Sequence, residues 1–206
     1  MEENYTLRRA TLEDAYEIWT VMDTCSQTLL QKDHFICDDY DYVKELLSGG
    51  GFAIVACDSN HKIVGNLLVK YPGLTEENLG YDVFVPNPEF HTSKAQSSTL
   101  HYSDSIQPFY KDCCIPLSDE TLFQVVHMDS ASVLPHHRGH GLEGKMISLA
   151  ESLIDTSLYS YAFATVAPQN HASLKTLEKQ GYKIMVTKEK YGELLRHVMM
   201  KELGKI

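Results

Sequence analysis

Apolar residues recur along the chain in two patterns, alternating in some segments and helically spaced in others. Short apolar or alternating runs predict strands at Tyr5–Arg9, Phe52–Cys57 and Lys62–Lys70. Helical spacing predicts one helix after Thr11, which has the character of an N-cap, and a second helix over Asp38–Leu47. A turn at Asp58–His61 would join the two middle strands as a hairpin, in which Gly65 indicates a bulge or a close backbone approach.

The stretch Val125–Ile154 combines a strand, a proline, a glycine-rich turn and an amphipathic helix in that order. The apolar stripe of the helix consists of Leu142, Met146, Leu149, Ala150, Leu153 and Ile154. A helix that opens from such a turn presents unpaired N–H groups and the positive end of its dipole. Glycine also lets an anion approach the backbone without a Cβ in the way. The stretch therefore predicts a phosphate site, with an ordinary strand-loop-helix connection as the alternative.

The C-terminal part of the chain continues the alternation of strands and helices. A strand is predicted at Tyr159–Ala167, and Asn170 then caps a helix that ends near Gly181. Two strands, Tyr182–Lys188 and Glu193–Lys201, complete the pattern. We expect a single α/β domain over residues 1–206, with a mixed central sheet flanked by helices.

The segment from Tyr71 to Glu120 shows neither period and interrupts this arrangement as an insertion before the central strand. Long irregular segments on a compact scaffold often carry function. The aromatic residues of the segment would then line a substrate pocket: Tyr81, Phe84, Phe90, Tyr102, Phe109 and Tyr110. The alternative is a surface elaboration with its own small core.

Composition narrows the range of partners and compartments. The net charge of −10 argues against nucleic-acid binding, which needs basic surface. No apolar run is long enough to span a bilayer, and the first ten residues lack a signal core, so we expect a cytoplasmic protein without a membrane partner. The five cysteines form no C-x-x-C motif, which favours reduced thiols.

Two motifs within this frame are shared with a known family. Val133-Leu134-Pro135 ends the central strand, and Arg138, Gly139 and Gly141 open the helix that follows. Neither a P-loop nor the dinucleotide motif G-x-G-x-x-G fits this turn. The segment resembles the acetyl-CoA-binding motif V-x-P, [RQ]-x-x-G-x-[GA] of the GNAT-type N-acetyltransferases. A second resemblance to the family lies in the C-terminal helix, at Asn170, Ser173, Gly181 and Tyr182.

The resemblance implies acetyl-CoA as co-substrate and assigns its contacts. The strand end would hold the acetyl group and the pantetheine arm, the turn would hold the pyrophosphate, and the C-terminal helix would touch the arm. The implied cofactor residues are Ala131, Ser132, Val133, Arg138, Gly139, His140, Gly141, Leu142, Glu143, Gly144, Asn170 and Ser173. No metal is expected, because His136, His137 and His140 crowd a glycine turn that offers no regular ligand face.

The chain departs from the family pattern at two positions. Glu143 occupies a small-residue position against the pyrophosphate, where a carboxylate would repel it unless the side chain turns away. Leu177 stands where many members have the tyrosine that protonates the departing thiolate. Leucine has no proton to donate, so either another group serves or the thiolate leaves unassisted.

His127 and Asp129 are the candidates for the catalytic base. The period of two would place both on one face of the central strand with Ala131 and Val133. Histidine has a natural proton-transfer pKa, and many GNAT proteins place their base on this strand. The structural alternatives are a satisfied, partly buried histidine for His127 and a polar group at a strand bulge for Asp129.

We therefore expect a transferase that moves acetyl from acetyl-CoA to a primary amine, with a small-molecule acceptor. A GNAT-like module that binds CoA with weak or no catalysis is the alternative, and transfer of another acyl group is a third hypothesis. The sequence leaves the acceptor open, and a homodimer is equally left open.

Overall fold

Seven strands form one mixed sheet in the computed structural model, which describes residues 4–71, 124–190 and 194–204. The strand order is β1-β2-β3-β4-β5-β7-β6. The strands are β1 (Thr6–Arg9), β2 (Gly51–Cys57), β3 (Ile63–Lys70), β4 (Val125–Val133), β5 (Tyr161–Val166), β6 (Lys183–Lys190) and β7 (Leu194–Glu202). Only the β4–β5 pair is parallel among the pairs of these strands.

Four α-helices accompany the sheet within the described residues. They are α1 (Ala15–Thr28), α2 (Tyr40–Glu45), α3 (Leu142–Leu153) and α4 (His171–Lys179). None of them is both long and apolar enough to cross a membrane. The predicted α/β architecture is confirmed, and the predicted insertion lies outside the described residues except for Tyr71.

The second helix is shorter than the predicted Asp38–Leu47. It begins after Asp39, whose carboxylate accepts a hydrogen bond from Tyr42 N at 2.8 Å, and it ends at Glu45. A wider turn over Leu46–Gly50 follows, and Gly49 has a φ of +144° there. The apolar spacing that predicts a helix up to Leu47 therefore continues beyond the helix end into this wider turn.

The sheet separates two hydrophobic clusters. Ile54 and Leu67 belong to the cluster that includes Met146 and Ile147 of α3. Val55 and Leu68 belong to the other, together with buried residues of α1 and α2. Because β2 and β3 are covered on both faces, their sequences are almost continuously apolar rather than alternating.

A bulge in β4 changes which of its residues share a face. Leu67 pairs with Ala131 while Val69 pairs with Met128, so β4 carries one extra residue at Asp129–Ser130. Met128 and Ala131 consequently both lie with the α3 cluster. The prediction that His127, Asp129, Ala131 and Val133 occupy one face is wrong, because the extra residue reverses the alternation.

Beyond the bulge, β4 and β5 separate. Their parallel pairing covers only Val125–Met128 against Tyr161–Ala164. Farther on, β4 continues beside β3 to Val133, whereas β5 continues beside β7 to Val166. The close approach predicted at Gly65 is confirmed, since a Cβ there would lie 3.1 Å from Ser132 O. The sheet therefore holds the end of β4 against β3 and leaves a gap on the β5 side.

Candidate active site

A pocket of about 470 Å³ occupies the gap between β4 and β5 and extends between α3 and α4. We call it the gap pocket. All of the predicted cofactor residues except His140 and Gly144 line it: Ala131, Ser132, Val133, Arg138, Gly139, Gly141, Leu142, Glu143, Asn170 and Ser173. The structure thus brings together two segments that are about thirty residues apart in the sequence.

His140 and Gly144 lie beside the pocket lining rather than in it. The ring of His140 packs against Tyr5, with ring centroids 5.4 Å apart. A Cβ on Gly144 would lie 3.1 Å from Gln180 Nε2, so this glycine allows α3 to approach the end of α4. Contact of these two residues with a cofactor stays a prediction.

The turn between β4 and α3 leaves open space in front of its backbone. Gly139 and Gly141 have φ values of +86° and +69°, and no heavy atom of the described residues lies within 4 Å of a Cβ built on either. The first helical bond of α3 runs from Lys145 N to Gly141 O, so the amides of Leu142, Glu143 and Gly144 precede the helical ladder. This end of the gap pocket has the features of an anion site.

Arg138 fixes the end of β4 to this turn. Its Nε donates to Val133 O at 2.9 Å. That bond satisfies a carbonyl at the end of the strand, where Pro135 interrupts regular pairing. The guanidinium therefore braces the junction from which the glycine turn departs.

Glu143 projects toward α4. Its carboxylate accepts a hydrogen bond from the Ser173 hydroxyl at 2.5 Å, and Ser173 N in turn donates to the Asn170 side chain at 3.3 Å. Burial raises the pKa of Glu143, and the hydrogen bond from Ser173 opposes that effect. The side chain is thus held against α4 while still lining the gap pocket.

A smaller pocket of about 190 Å³ adjoins the first on the α2 side of β4. We call it the side pocket. It shares His34, Phe35, Asp129 and Thr165 with the gap pocket. Its other described lining residues are Ile36, Asp38, Tyr42, Lys70, Ser130 and Arg196. Asp129 therefore stands where the two pockets meet.

The β4 bulge directs two side chains toward the α2 region. Tyr42 donates from its hydroxyl to Asp129 Oδ2 at 2.5 Å, and Ser130 donates to Asp38 Oδ2 at 3.0 Å. Burial raises the pKa of Asp38, against smaller lowering effects of the Ser130 hydrogen bond and the positive charge of Lys70. The bulge, which the sequence suggested only as the alternative for Asp129, orients these two side chains.

His127 differs from Asp129 in its position. It is 2% exposed and lines neither pocket, and it pairs with Lys70 on β3. Its catalytic role stays a prediction, whereas the position of Asp129 gives direct access to both pockets. Leu177 is buried, lines the gap pocket and carries no group that donates a proton.

Sequence reasoning missed most of the side pocket. His34, Asp38, Tyr42, Lys70 and Arg196 stand in four separate segments, and no local motif connects them. His34 stands in no motif, yet its Nε2 is buried without a hydrogen-bond partner among the described residues. Within the described ranges, no three His, Cys, Asp or Glu side chains assemble as a metal site.

Comparison with solved structures finds the same fold in acetyltransferases. The putative acetyltransferase yncA from Salmonella typhimurium, solved with acetyl-CoA, is 15% identical, with a TM-score of 0.62 over 98% of this chain and 96% of that chain. A GNAT superfamily phosphinothricin acetyltransferase from Sinorhizobium meliloti, in complex with acetyl-CoA, is 14% identical, with a TM-score of 0.61 over 97% and 89% of the two chains.

Naa20 from Chaetomium thermophilum, in complex with a bisubstrate analogue, is 15% identical, with a TM-score of 0.60 over 96% of this chain and 86% of that chain. No protein-family model and no curated protein matches the sequence. The chain therefore has the fold of the GNAT acetyltransferases, and the fold predicted from the two motifs is confirmed.

Proposed function

We propose that the protein transfers an acetyl group from acetyl-CoA to a primary amine of a small molecule. The observation that carries this proposal is the gap pocket, whose lining includes both the glycine turn, with the features of an anion site, and Asp129. A cofactor bound with its diphosphate at the turn would direct its thioester along β4 toward the side pocket. The acceptor amine would enter from the side pocket and meet the thioester beside Asp129.

The residues present fit such a cofactor. Amides at the start of α3 and the open space at Gly139 and Gly141 suit a diphosphate. The edge of β4 beyond Met128, where its pairing with β5 ends, suits an extended arm with amide groups, in the manner of an added strand. Ser132 is buried and lines the pocket, and its hydroxyl lies near the Cys25 thiol, which is only a weak hydrogen-bond partner, so a polar ligand group would complete its hydrogen bonding.

Asp129 acts as the proton acceptor in this proposal. An ammonium group at the junction gives one proton to the carboxylate, directly or through water, and the neutral nitrogen then attacks the thioester carbonyl. A C–N bond forms, the C–S bond breaks, and the thiolate that has left takes up the second nitrogen proton through water. With the first proton passed from Asp129 to solvent, the products are the N-acetyl amine, CoA and one released proton. Tyr42 orients the carboxylate through its hydrogen bond to Oδ2.

The departing sulfur needs no acid from position 177. An aliphatic thiol has a pKa of about 8.5, so a thiolate is only slightly unfavourable near neutral pH. Leu177 is compatible with unassisted departure and keeps the wall of the gap pocket apolar. If the thiolate leaves without an acid, no catalytic group has to stay protonated at high pH. The rate should then keep rising toward alkaline pH as the amine is deprotonated.

The test compares Asp129→Asn with Asp41→Asn, an exposed aspartate of α2 that lines neither pocket. We expect Asp129→Asn to lower the rate of CoA release with an amine acceptor by about 100-fold, since general base catalysis is worth about that much or more. The acetyl-CoA affinity, measured by titration calorimetry, should change little. Asp41→Asn should match the wild type in both measurements.

A CoA-binding module without efficient catalysis is the second candidate, and Leu177 and Glu143 are the features that favour it. It predicts calorimetric binding of CoA without release of thiol from acetyl-CoA across a panel of primary amines. No binding of either acetyl-CoA or CoA would remove both candidates.

A further inference from the structure

We propose that Glu143 takes up a proton when a diphosphate binds at the turn between β4 and α3, and that its protonated carboxyl then donates a hydrogen bond to the ligand. This inference rests on the proposed function for the place of the diphosphate. It adds a residue that sets the affinity for the cofactor and makes that affinity fall as the pH rises. Because the family motif has a small residue at this position, the effect would be a property of this chain.

Glu143 supplies both an amide and a carboxyl to the same end of the gap pocket. Its N–H is one of the three that precede the helical ladder of α3, and its side chain lines the pocket together with Gly139 and Gly141. Within one glutamate, bond lengths keep the carboxyl carbon within about 5 Å of the amide nitrogen. A diphosphate that accepts from this amide would therefore have the carboxyl as a close neighbour, and an ionised carboxylate there would repel it.

The carboxyl of Glu143 is held between α3 and α4. Ser173 donates to its Oε1 at 2.5 Å, and farther along the same two helices Ser148 Oγ donates to Gln180 Oε1 at 3.1 Å. Gly144 allows the helices to pack this closely. To stay charged and move away from a diphosphate, Glu143 would have to give up its hydrogen bond with Ser173. Uptake of a proton removes the charge and keeps that contact.

The surroundings of Glu143 already favour its protonated form. Burial raises its pKa above the ordinary value of 4.5, and the hydrogen bond from Ser173 opposes this with a smaller effect. A bound anion adds a like charge and raises the pKa further. Because Ser173 donates to Oε1, the proton would reside on Oε2, and a carboxyl group can donate to a phosphate oxygen only in this form.

The elements that form this end of the pocket carry further titratable and charged groups. They are His136, His137, Arg138 and His140 of the turn, Lys145 and Glu151 of α3, His171, Lys175, Glu178 and Lys179 of α4, and the pocket-lining Cys25, His34 and Asp129. A histidine beside a bound anion can also take up a proton. Proton uptake by the wild type alone is therefore not diagnostic, and the informative comparison is with a variant that changes only Glu143.

The experiment measures affinity for dephospho-CoA by titration calorimetry from pH 5 to pH 8.5, in the wild type and in Glu143→Gln. Dephospho-CoA keeps the diphosphate but lacks the 3′-phosphate, whose own ionisation falls in this range. Glutamine still accepts from Ser173 and cannot ionise. We expect nearly equal affinities at pH 5. At pH 8.5 the wild type should bind about tenfold more weakly than Glu143→Gln, which corresponds to a shift of one pKa unit on binding.

Two further variants and a proton count assign the effect to this carboxyl. Glu178→Gln removes an exposed acid of α4 that lines neither pocket, and it should follow the wild type at every pH. Ser173→Ala removes a hydrogen bond that lowers the pKa of Glu143, so the loss of affinity should begin at a higher pH. Calorimetry in two buffers of different ionisation enthalpy should show that the wild type takes up more protons per bound ligand than Glu143→Gln.

The possible outcomes separate this inference from the proposed function. A ratio of wild-type to Glu143→Gln affinity that stays constant across the pH range, or equal proton uptake by the two proteins, would overturn the inference and leave acetyl transfer intact. A pH-dependent ratio without release of thiol from acetyl-CoA would support the inference and favour the binding module without catalysis. If neither protein binds dephospho-CoA at any pH, both proposals are wrong.

Discussion

At the scale of single residues, Glu143 places a carboxylate at the end of the gap pocket where we propose that the pyrophosphate binds. It stands at the first turn of α3, where a positive dipole end attracts a carboxylate, yet its burial opposes ionisation. Its hydrogen bond with Ser173 links α3 to α4 and directs the charge toward α4. Glu143 departs from the small residue of the family motif, and its hydrogen bond with Ser173, thirty residues later, accommodates the carboxylate.

Glu143→Gln should stabilise the protein at neutral pH. The pKa of Glu143 is raised in the folded state, so its ionisation above the ordinary glutamate pKa of 4.5 lowers the free energy of unfolding. The glutamine oxygen still accepts from Ser173. We expect a gain of about 1 kcal/mol, roughly 2–4 °C in the unfolding midpoint at pH 7.5, that shrinks as the pH falls toward 4.5.

The control is Glu178→Gln, because Glu178 is exposed on α4 and lines neither pocket. It should show no such pH-dependent difference from the wild type. A gain for Glu143→Gln that is larger at pH 5 than at pH 7.5 would contradict the stated effect of burial.

Gly141→Ala should weaken acetyl-CoA binding. Its Cβ would project into the space in front of the turn, and its φ of +69° disfavours any side chain. We expect the affinity to fall at least about tenfold, since one charge-assisted hydrogen bond is worth about 1.5 kcal/mol or more. Gly49→Ala is the matched control, because Gly49 also has a positive φ and open space but lies outside both pockets.

Both glycine variants should lose stability, and only Gly141→Ala should lose affinity in titration calorimetry. Equal affinities for the two variants would mean that the diphosphate is bound elsewhere.

At the scale of secondary structure elements, β4 organises the site through its bulge and its separation from β5. The sequence predicted the strand, the glycine turn and the following helix, because each has a local signature in proline, glycine or helical spacing. It could not predict that Asp129 and Ser130 together oppose one residue of β3, since a bulge depends on the partner strand. For the same reason, the pairing of Ser130 with Asp38 and of Asp129 with Tyr42 had no sequence signal.

The hairpin that supports β4 has a sensitive point at its open end. A Cβ on Gly51 would lie 2.0 Å from Val69 O, so Gly51→Ala must displace β2 from β3. We expect a loss of about 2–3 kcal/mol in the free energy of unfolding, in the upper part of the range for overpacking. Denaturant titration measures it, and Gly50→Ala is the control, since its nearest contact would be an ordinary 3.7 Å.

A loss for Gly51→Ala no greater than that for Gly50→Ala would show that the two strands separate easily at this end.

At the scale of the whole molecule, the sheet separates two tasks. The face covered by α3 and α4 borders the gap pocket, which is proposed to bind the cofactor, and the region around α2 borders the side pocket, which is proposed to bind the acceptor. The bulge of β4 connects them, because Asp129 reaches both. The fold itself was predictable from two motifs, but the acceptor side was not, because its residues come from segments without a common spacing.

Cofactor binding should stabilise this whole arrangement. A ligand at about 100 times its dissociation constant stabilises the folded state by about 2.7 kcal/mol. For a chain of 206 residues this corresponds to a rise of roughly 5–10 °C in the unfolding midpoint. Differential scanning fluorimetry with acetyl-CoA, and with adenosine as a control that lacks the diphosphate, measures the rise. An equal shift with adenosine would argue against binding through the diphosphate.

The most direct test of the central claim is a crystal structure of the protein grown with CoA. We expect the diphosphate within hydrogen-bond distance of the amides that open α3, the arm along β4 from Val133 toward Ala131, and the sulfur beside Asp129. A diphosphate bound away from the Gly139–Gly141 turn, or CoA absent from the gap pocket at saturating concentration, would contradict it.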